Sequence, residues 1–191
     1  MPTRVLFLGP DGVGKSTLLQ SVQEALPVAS VNAYFGIGKD GWRLKAVQRL
    51  SVHGGRSLSG AVFWYVALPV EIYLRRINIS RVGRGGIVLI DRVPGKPLLS
   101  GQFLRLLYIG ILPRPNVIIL LQGDPVVIAS RKPEETTPER TVKELRKWKK
   151  VAERLRADRI VAIDTTDNEL VSCRDIAIRA IYDSVRDQSL K

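Results

Sequence analysis

The chain has 191 residues, of which 45% are hydrophobic and 25% are charged, a composition that fits one compact domain and excludes a disordered chain. Its net charge of +12 predicts attraction to an anionic partner, which could be nucleotide phosphates, nucleic acid or a membrane surface. The charge by itself does not choose among these partners.

Strand-like and helix-like segments alternate along the chain, which is the pattern of a parallel sheet covered by helices. Five short apolar segments read as strands, namely Arg4–Leu8, Val28–Tyr34, Ile87–Ile90, Val117–Leu121 and Ile160–Ile163. Because they lack alternation of polar and apolar residues, we expect helices on both faces of the sheet. The sequence therefore predicts an α/β fold with a five-stranded parallel sheet, in a single domain spanning residues 1–191.

Helices are predicted between these strands, with glycine and proline marking their ends. They are Lys15–Leu26, Trp42–Arg81 interrupted around His53–Gly60, Leu98–Ile111, Pro125–Arg131, Glu139–Ala157 and a terminal helix with Leu170, Cys173, Ala177, Ile178, Ile181 and Val185 on one side. Asp124 is expected to be an N-cap, with Pro125 at the first helical position. Helix 139–157 should carry a very basic outer face.

No segment is long enough and apolar enough to predict a membrane span. A span needs ~18 consecutive apolar residues, and the longest candidate, Ala61–Leu74, contains Pro69 and Glu71. We interpret it as a buried helix. The N-terminal residues lack the pattern of a secretory signal, and Cys173 is the only cysteine, so we expect no intrachain disulfide and a reducing, cytoplasmic setting.

The segment Gly9–Thr17 satisfies the P-loop pattern completely and lies between a predicted strand and a predicted helix. Its glycines let the backbone curl so that successive N–H groups point at phosphate oxygens, and the helix start adds its positive end. Lys15 is expected to reach the β and γ phosphates of ATP, and Ser16 to bind Mg²⁺. The predicted nucleotide-binding residues are Asp11, Gly12, Val13, Gly14, Lys15, Ser16 and Thr17.

A P-loop enzyme also needs a carboxylate near its metal ion, usually at the end of an apolar strand. Asp91 follows the strand Ile87–Ile90 directly and is therefore the predicted second ligand of Mg²⁺. The competitor, Asp124, lies beyond its strand and precedes a proline, so a helix cap explains it better. Arg92 follows Asp91 at the sheet edge where ligands bind, and its guanidinium suits bidentate recognition of a phosphate.

These features together resemble the thymidylate kinase-like group of nucleoside monophosphate kinases, and the likeness spans most of the chain. The resemblance is carried by the P-loop with Asp11 at its third position, by Asp91-Arg92 after the third strand, and by the stretch from Pro115 through Asp124-Pro125 to Arg131 and Glu144. It implies ATP- and Mg²⁺-dependent transfer of the γ-phosphoryl group to the phosphate of a small acceptor. Asp11 would then lie near the acceptor sugar and Arg92 on the acceptor phosphate.

The resemblance also implies a mobile lid over ATP at about residues 131–140. Arg131, Lys132 and Arg140 would stabilise the charge on the transferring group, an effect on the order of 1000-fold when an arginine finger supplies it. The turn at Thr165 falls where related kinases contact adenine. Kinases of this group are often dimers, so the resemblance allows a homodimer.

The sequence leaves the acceptor open, because it departs from the group's pattern where the acceptor is recognised. Val93 replaces the usual tyrosine after Asp-Arg, and the segment Phe35–Lys39 replaces the usual Thr-Arg-Glu-Pro. Two other functions stay open. The basic residues Lys143, Arg146, Lys147, Lys149, Lys150, Arg154 and Arg156 are compatible with a polynucleotide kinase or a nucleic-acid-dependent ATPase. A non-catalytic regulator that binds ATP is the third alternative.

Overall fold

A computed structural model describes residues 2–37, 47, 58–80 and 86–189. The predictions for Trp42, for His53 and for most of the helical segment before residue 58 lie outside the described residues. Within them, five parallel strands form one sheet in the order β2-β3-β1-β4-β5. The predicted fold class, a five-stranded parallel sheet flanked by helices, is therefore confirmed.

The five strands lie where apolar segments were predicted, with small shifts at their ends. They are β1 (Thr3–Leu8), β2 (Ser30–Tyr34), β3 (Ile87–Asp91), β4 (Val117–Gln122) and β5 (Arg159–Asp164). The three central strands are almost entirely buried, whereas the edge strands β2 and β5 are partly exposed. Phe7 pairs with Asp91 in the sheet register, so β1 and β3 end side by side.

The helices connect the strands on both sides of the sheet. They are α1 (Lys15–Ala25), α2 (Leu58–Val62), α3 (Leu68–Ser80), α4 (Gly95–Leu99), α5 (Gln102–Ile111), α6 (Pro125–Ser130), α7 (Pro138–Arg154) and α8 (Leu170–Ser189). One apolar cluster packs α3, α5 and α7 against the sheet, and a second packs α1, α6 and α8 against the opposite face.

Three predicted helix bounds were wrong, and each error has a local cause. The helix predicted over Leu98–Ile111 is two helices, because Ser100 and Gly101 adopt extended backbone angles. Helix α7 ends at Arg154 and not at Ala157, since Arg156 has the left-handed φ of 51° that closes a helix. The interruption predicted around His53–Gly60 is wrong at its end, because α2 already begins at Leu58, whereas residues 53–57 lie outside the described residues.

Helix α2 and helix α3 are joined by one π-helical turn, Phe63–Ala67. The π turn widens the spacing, so that Phe63 and Leu68, five residues apart, are both buried in the core. The opposite side of the same helix is exposed at Tyr65 and Val66. The interpretation of Ala61–Leu74 as a buried helix was therefore only half correct. Within the described ranges no helix has both the length and the hydropathy that crossing a bilayer requires.

The terminal helix α8 packs through most of its predicted apolar side. Cys173, Ala177 and Ile181 are buried against the sheet and Ile178 packs beside them, but Leu170 is 44% exposed. Leu170 is the first residue of the helix, where no preceding turn of α8 covers it. It lies instead beside the cavity described below.

Candidate active site

The turn between β1 and α1 depends on two glycines with left-handed backbone angles. Gly12 has φ 84° and Gly14 has φ 88°, a region that side chains with a Cβ rarely adopt. A Cβ on Gly12 would also lie 2.8 Å from the carbonyl oxygen of Ile128, so helix α6 approaches too closely for any other residue. Gly14 is the N-cap of α1 and forms no side-chain cap, which leaves the N–H groups of that first turn available to a ligand.

Lys15 is the first residue of α1, and only 4% of it is exposed. Its Nζ donates a hydrogen bond to the carbonyl oxygen of Pro10 at 2.5 Å and lies 3.9 Å from Oδ1 of Asp11. Burial, aided by the nearby positive charge of Arg92, lowers the pKa of Lys15 to about 8. The protein therefore compensates the positive charge of the ammonium group only in part, and the site favours binding of an anion.

Asp91 ends β3 with its side chain at the same edge of the sheet. Its Oδ1 is buried and has no hydrogen-bond donor among the described residues, and burial raises the pKa of the carboxyl. Asp91 lines a cavity of about 520 Å³ together with Ser16. A buried carboxylate oxygen without a partner, beside a hydroxyl, is an oxygen donor set that suits Mg²⁺. The two residues predicted to bind the metal are thus close together and fit the ion.

Arg92 follows Asp91 in the left-handed region, with φ 63°, so the chain turns sharply after the strand. Its Nη2 donates to Oδ1 of Asp11 at 2.5 Å. Burial opposes ionisation of Asp11, but Arg92 and Lys15 outweigh this effect and hold the pKa of the carboxyl below its usual value. Asp11 therefore remains an anion between two cations, at the mouth of the P-loop.

A cavity of about 570 Å³ opens over the P-loop. Among the predicted site residues it is lined by Asp11, Gly12, Val13, Gly14, Lys15, Ser16, Thr17, Arg92, Arg131 and Thr165. Thr165 does not present its hydroxyl freely, since Oγ1 donates to the carbonyl oxygens of Val13 and Gln122. These two hydrogen bonds link the P-loop to the turn after β5. Nη2 of Arg131 donates to the carbonyl oxygen of Thr165 at 3.0 Å.

Of the predicted catalytic residues, Asp91 lines the 520 Å³ cavity described above and not this one. Arg140 does not line this cavity either. It lies in the first turn of α7, where Nη1 donates to the carbonyl oxygen of Glu135. It lines a smaller neighbouring cavity of about 210 Å³, whose wall is shared with the larger one at Asp11 and Arg92. Lys147 and Trp148 of α7 also line this smaller space. The predicted lid residues are therefore divided between two adjoining cavities.

Among the lining residues of the larger cavity that come after β5, sequence reasoning missed three, namely Asn168, Leu170 and Cys173. They follow β5 and carry no motif of their own. The available signal was topological, because ligands of open α/β sheets bind at the carboxyl ends of the strands, and these residues follow such an end.

Asp124 has the role that was predicted for it. Its Oδ1 accepts hydrogen bonds from the backbone N–H groups of Val126 and Val127, so it caps α6. Across the described ranges, no group of three or more His, Cys, Asp or Glu side chains forms a cluster suited to a metal ion. A metal at the P-loop would therefore rely on Ser16, Asp91 and ligands that come with the nucleotide.

A P-loop between the first strand and first helix of this parallel sheet defines the fold of the P-loop kinases. One such solved structure is a gluconokinase from Sinorhizobium meliloti 1021, which superposes with a TM-score of 0.56 over 99% of this chain and 97% of that chain. The two sequences are 16% identical, so the likeness establishes the fold. The sequence matches no protein-family profile and no curated protein.

Proposed function

We propose that this protein is an ATP- and Mg²⁺-dependent phosphotransferase that phosphorylates a small anionic acceptor. The observation that carries the proposal is the convergence of charges that the protein leaves uncompensated. Lys15 is a buried cation with a lowered pKa at the N-terminus of α1, and Asp91 is a half-buried carboxylate whose buried Oδ1 has no partner among the described residues. A nucleotide phosphate together with a divalent cation satisfies all three features.

The P-loop residues would hold the phosphates of ATP, and Ser16 with Asp91 would hold Mg²⁺. The bound ion neutralises charge on the phosphate oxygens during transfer. Lys15 adds a positive charge from a buried position, where its effect is little screened by water. Arg131 lies across the cavity, tied to the turn after β5, and adds a second cation on the lid side. Catalysis on this proposal is positioning and charge stabilisation.

The acceptor would lie where Asp11 and Arg92 separate the two cavities. Arg92 supplies a planar fork for a phosphate or carboxylate, and Asp11 can accept a hydrogen bond from an acceptor hydroxyl. Arg140 and Lys147 also line the smaller cavity, together with the carboxylates Glu135 and Glu144, the second of which pairs with Lys147. The resemblance noted above favours a nucleoside monophosphate as acceptor. The solved relative is named a gluconokinase, so a sugar acid is the second class to test.

The decisive experiment is a screen for acceptor-dependent ADP release. ATP and Mg²⁺ are supplied with nucleoside and deoxynucleoside monophosphates, sugars, sugar acids and sugar phosphates, each tested in turn. We expect ADP formation with one anionic class and background release with neutral sugars. The matched variants Lys15→Ala and Asp91→Ala should remove the signal while circular dichroism shows an intact fold.

Two results would overturn the proposal. The first is tight ATP binding with no acceptor-dependent ADP release across the whole panel, which supports a non-catalytic regulator. The second is wild-type turnover in the Lys15→Ala or Asp91→Ala variant, because neither residue would then hold the reacting groups.

A further inference from the structure

The two helical layers of the protein differ strongly in surface chemistry. Helices α3, α5, α4 and α7 pack side by side on one face of the sheet, since α3 contacts α5, α5 contacts α4, and α4 contacts α7. Among the described residues of α2 to α5 the one carboxylate is Glu71, which is buried and pairs with Arg75. The opposite layer carries no net charge on α8, because the aspartates Asp175, Asp183 and Asp187 are balanced by the arginines Arg174, Arg179 and Arg186.

An apolar stripe covers part of the outer surface of the first layer. From the helix that spans α2, the π turn and α3 it contains Val62, Tyr65, Val66, Val70 and Tyr73, all between 41% and 56% exposed. From α5 it contains Phe103, which is 73% exposed, and Leu106, which is 56% exposed. The rings of Tyr65 and Phe103 stack with centroids 6.2 Å apart, so the two parts form one continuous surface.

The apolar stripe is at or above the upper end of the size of a typical surface patch. At about 150–250 Å² for each whole aromatic side chain, and somewhat less for valine and leucine, its seven residues expose on the order of 500–800 Å². The largest apolar patch on a typical monomer is about 300–600 Å², and larger patches mark interaction sites. Since the inner side of the same helix packs in the core through Phe63, Leu68 and Ile72, this helix is apolar on both sides. Helices of that kind are normally covered on both sides.

A basic face lies on the same layer, along α7. It consists of the exposed residues Lys143, Arg146, Lys149 and Lys150. Glu139 and Glu153 are exposed on the same helix and reduce this charge without cancelling it. The inner side of α7 packs through Trp148 and Val151 into the cluster that also holds Leu68 and Ile72 of α3, so the outer surfaces of both helices face the same side of the molecule.

We infer that this layer docks on an anionic lipid surface, with the apolar stripe inserted at the headgroup boundary and the basic face against the headgroups. Peripheral membrane binding combines buried apolar area with attraction between basic residues and anionic lipids, and this layer presents both. Tyrosine suits that boundary, since its ring can be buried while its hydroxyl stays hydrated, and phenylalanine adds a wholly apolar ring. Helix α8 on the far side carries equal numbers of arginines and aspartates, so it offers an anionic surface no competing basic face.

A second copy of this chain is a less suitable occupant of the stripe. The area would suffice for one side of an ordinary dimer interface, about 800 Å² per partner. However, two such layers would bring their basic faces toward each other, and Glu139 and Glu153 would offset only part of that positive charge. Nucleic acid would explain the basic face but not the adjoining apolar stripe, because the phosphate backbone is recognised by charged and polar groups.

The test is flotation of the full chain with vesicles of phosphatidylcholine, with and without phosphatidylglycerol. We expect binding to the vesicles that contain phosphatidylglycerol at about 0.1 M salt and its loss toward 1 M salt, where the screening length falls from about 10 Å to about 3 Å. Phe103→Ser should weaken binding by about tenfold, because its ring no longer inserts. Lys150→Glu should weaken it at least fivefold, as one charge near the surface changes sign.

Matched controls come from the opposite layer. Tyr182 and Arg179 are exposed on α8, so Tyr182→Ser and Arg179→Glu should leave vesicle binding unchanged, whereas Tyr73→Ser should reduce it. Equal losses in the control variants would overturn the proposal. So would failure of the wild-type chain to float with any vesicle.

Sedimentation velocity separates the other occupants. The wild-type chain could sediment as a species of twice its mass of 21.2 kDa, persist as such in high salt, and become monomeric in Tyr73→Ser. That result would assign the stripe to a second copy and contradict the proposal. Salt-sensitive binding of oligonucleotides through Lys150, without vesicle binding, would assign the basic face to nucleic acid and contradict it as well.

Discussion

Two cations are buried among the residues that the structure describes, and the protein compensates them very differently. Arg75 on α3 is 8% exposed, and its Nε donates to Oε1 of Glu71 at 2.8 Å, while Nη1 donates to the carbonyl oxygens of Tyr34 and Gly36. Lys15 in the P-loop is 4% exposed, yet its nearest carboxylate, Asp11, is 3.9 Å away and is shared with Arg92.

The contrast separates a structural role from a functional one. A buried charge with full compensation fixes local structure, and the Glu71–Arg75 pair connects α3 to the end of β2. A buried charge with poor compensation lowers the stability of the fold, and it is stabilised when a ligand of opposite charge binds. The difference predicts that removing each cation changes stability in opposite directions, and the following four predictions test this difference.

The largest effect is expected for Lys15→Met. Acceptor-dependent ADP release should fall on the order of 1000-fold or more, because the buried ammonium no longer stabilises the transferring group. The free energy of unfolding without nucleotide should rise at the same time, by no more than about 3 kcal/mol, as the cost of burying the charge is removed. Kinetics and urea unfolding measure the two changes. A decrease in stability would show that Pro10 and Asp11 already compensate Lys15.

Removal of the other buried cation should destabilise the fold. Arg75→Met leaves the buried carboxylate of Glu71 without its ion pair, so we expect a loss of about 3–5 kcal/mol in the free energy of unfolding by urea. Its neighbour Arg76 is exposed and donates to the carbonyl oxygen of Gly110, so Arg76→Met should cost about 1 kcal/mol. Equal losses in the two variants would contradict the structural role of the Glu71–Arg75 pair.

Asp91→Asn should abolish transfer and stabilise the protein without nucleotide. The pKa of Asp91 is raised in the folded state, so the folded protein binds more protons than the unfolded chain above pH ~4, and stability falls as pH rises through that window. At neutral pH the variant should gain about 0.5–2 kcal/mol, and the gain should shrink toward pH ~4. Asp158→Asn, which breaks an exposed pair with Arg114, should give no gain.

The smallest expected signal is a proton taken up by Lys15 when ATP binds. Its pKa of about 8 leaves it largely neutral at pH 9 without nucleotide, and the phosphates of ATP should return the pKa toward its usual value. Calorimetry in buffers of different ionisation enthalpy should therefore detect about 0.9 proton at pH 9 and about 0.1 at pH 7. The pH 9 uptake should disappear in Lys15→Met and persist in Lys132→Met. Its persistence in Lys15→Met would assign the proton to another group.

Features governed by short-range rules were predicted well from the sequence. The glycines with positive φ, the start of α1 at Lys15 and the cap at Asp124 each depend on a few neighbouring residues. The strands were found because β1, β3 and β4 are buried on both sides and consist of apolar residues. These rules also placed Asp91 and Arg92 at the edge of the sheet beside the P-loop.

Features that depend on packing between distant segments were not predicted. Arg140 lines the smaller cavity because α7 packs beside α4, which no local pattern encodes. The same limit explains why Asn168 and Cys173 were missed, since they reach the P-loop through the turn after β5. The exposed side of α2 and α3 was missed because both sides of that helix are apolar, and periodicity cannot distinguish a core face from a docking face.

The left-handed backbone at Arg92 has a consequence for how this sequence can evolve. An arginine in that conformation costs about 1–2 kcal/mol relative to glycine, so a mutation to glycine would relax the backbone. Replacing Asp91 or Lys15 would likewise relieve the cost of burying a charge. Selection for thermal stability alone would therefore favour losing these three residues, and their presence together in one chain records selection for another property.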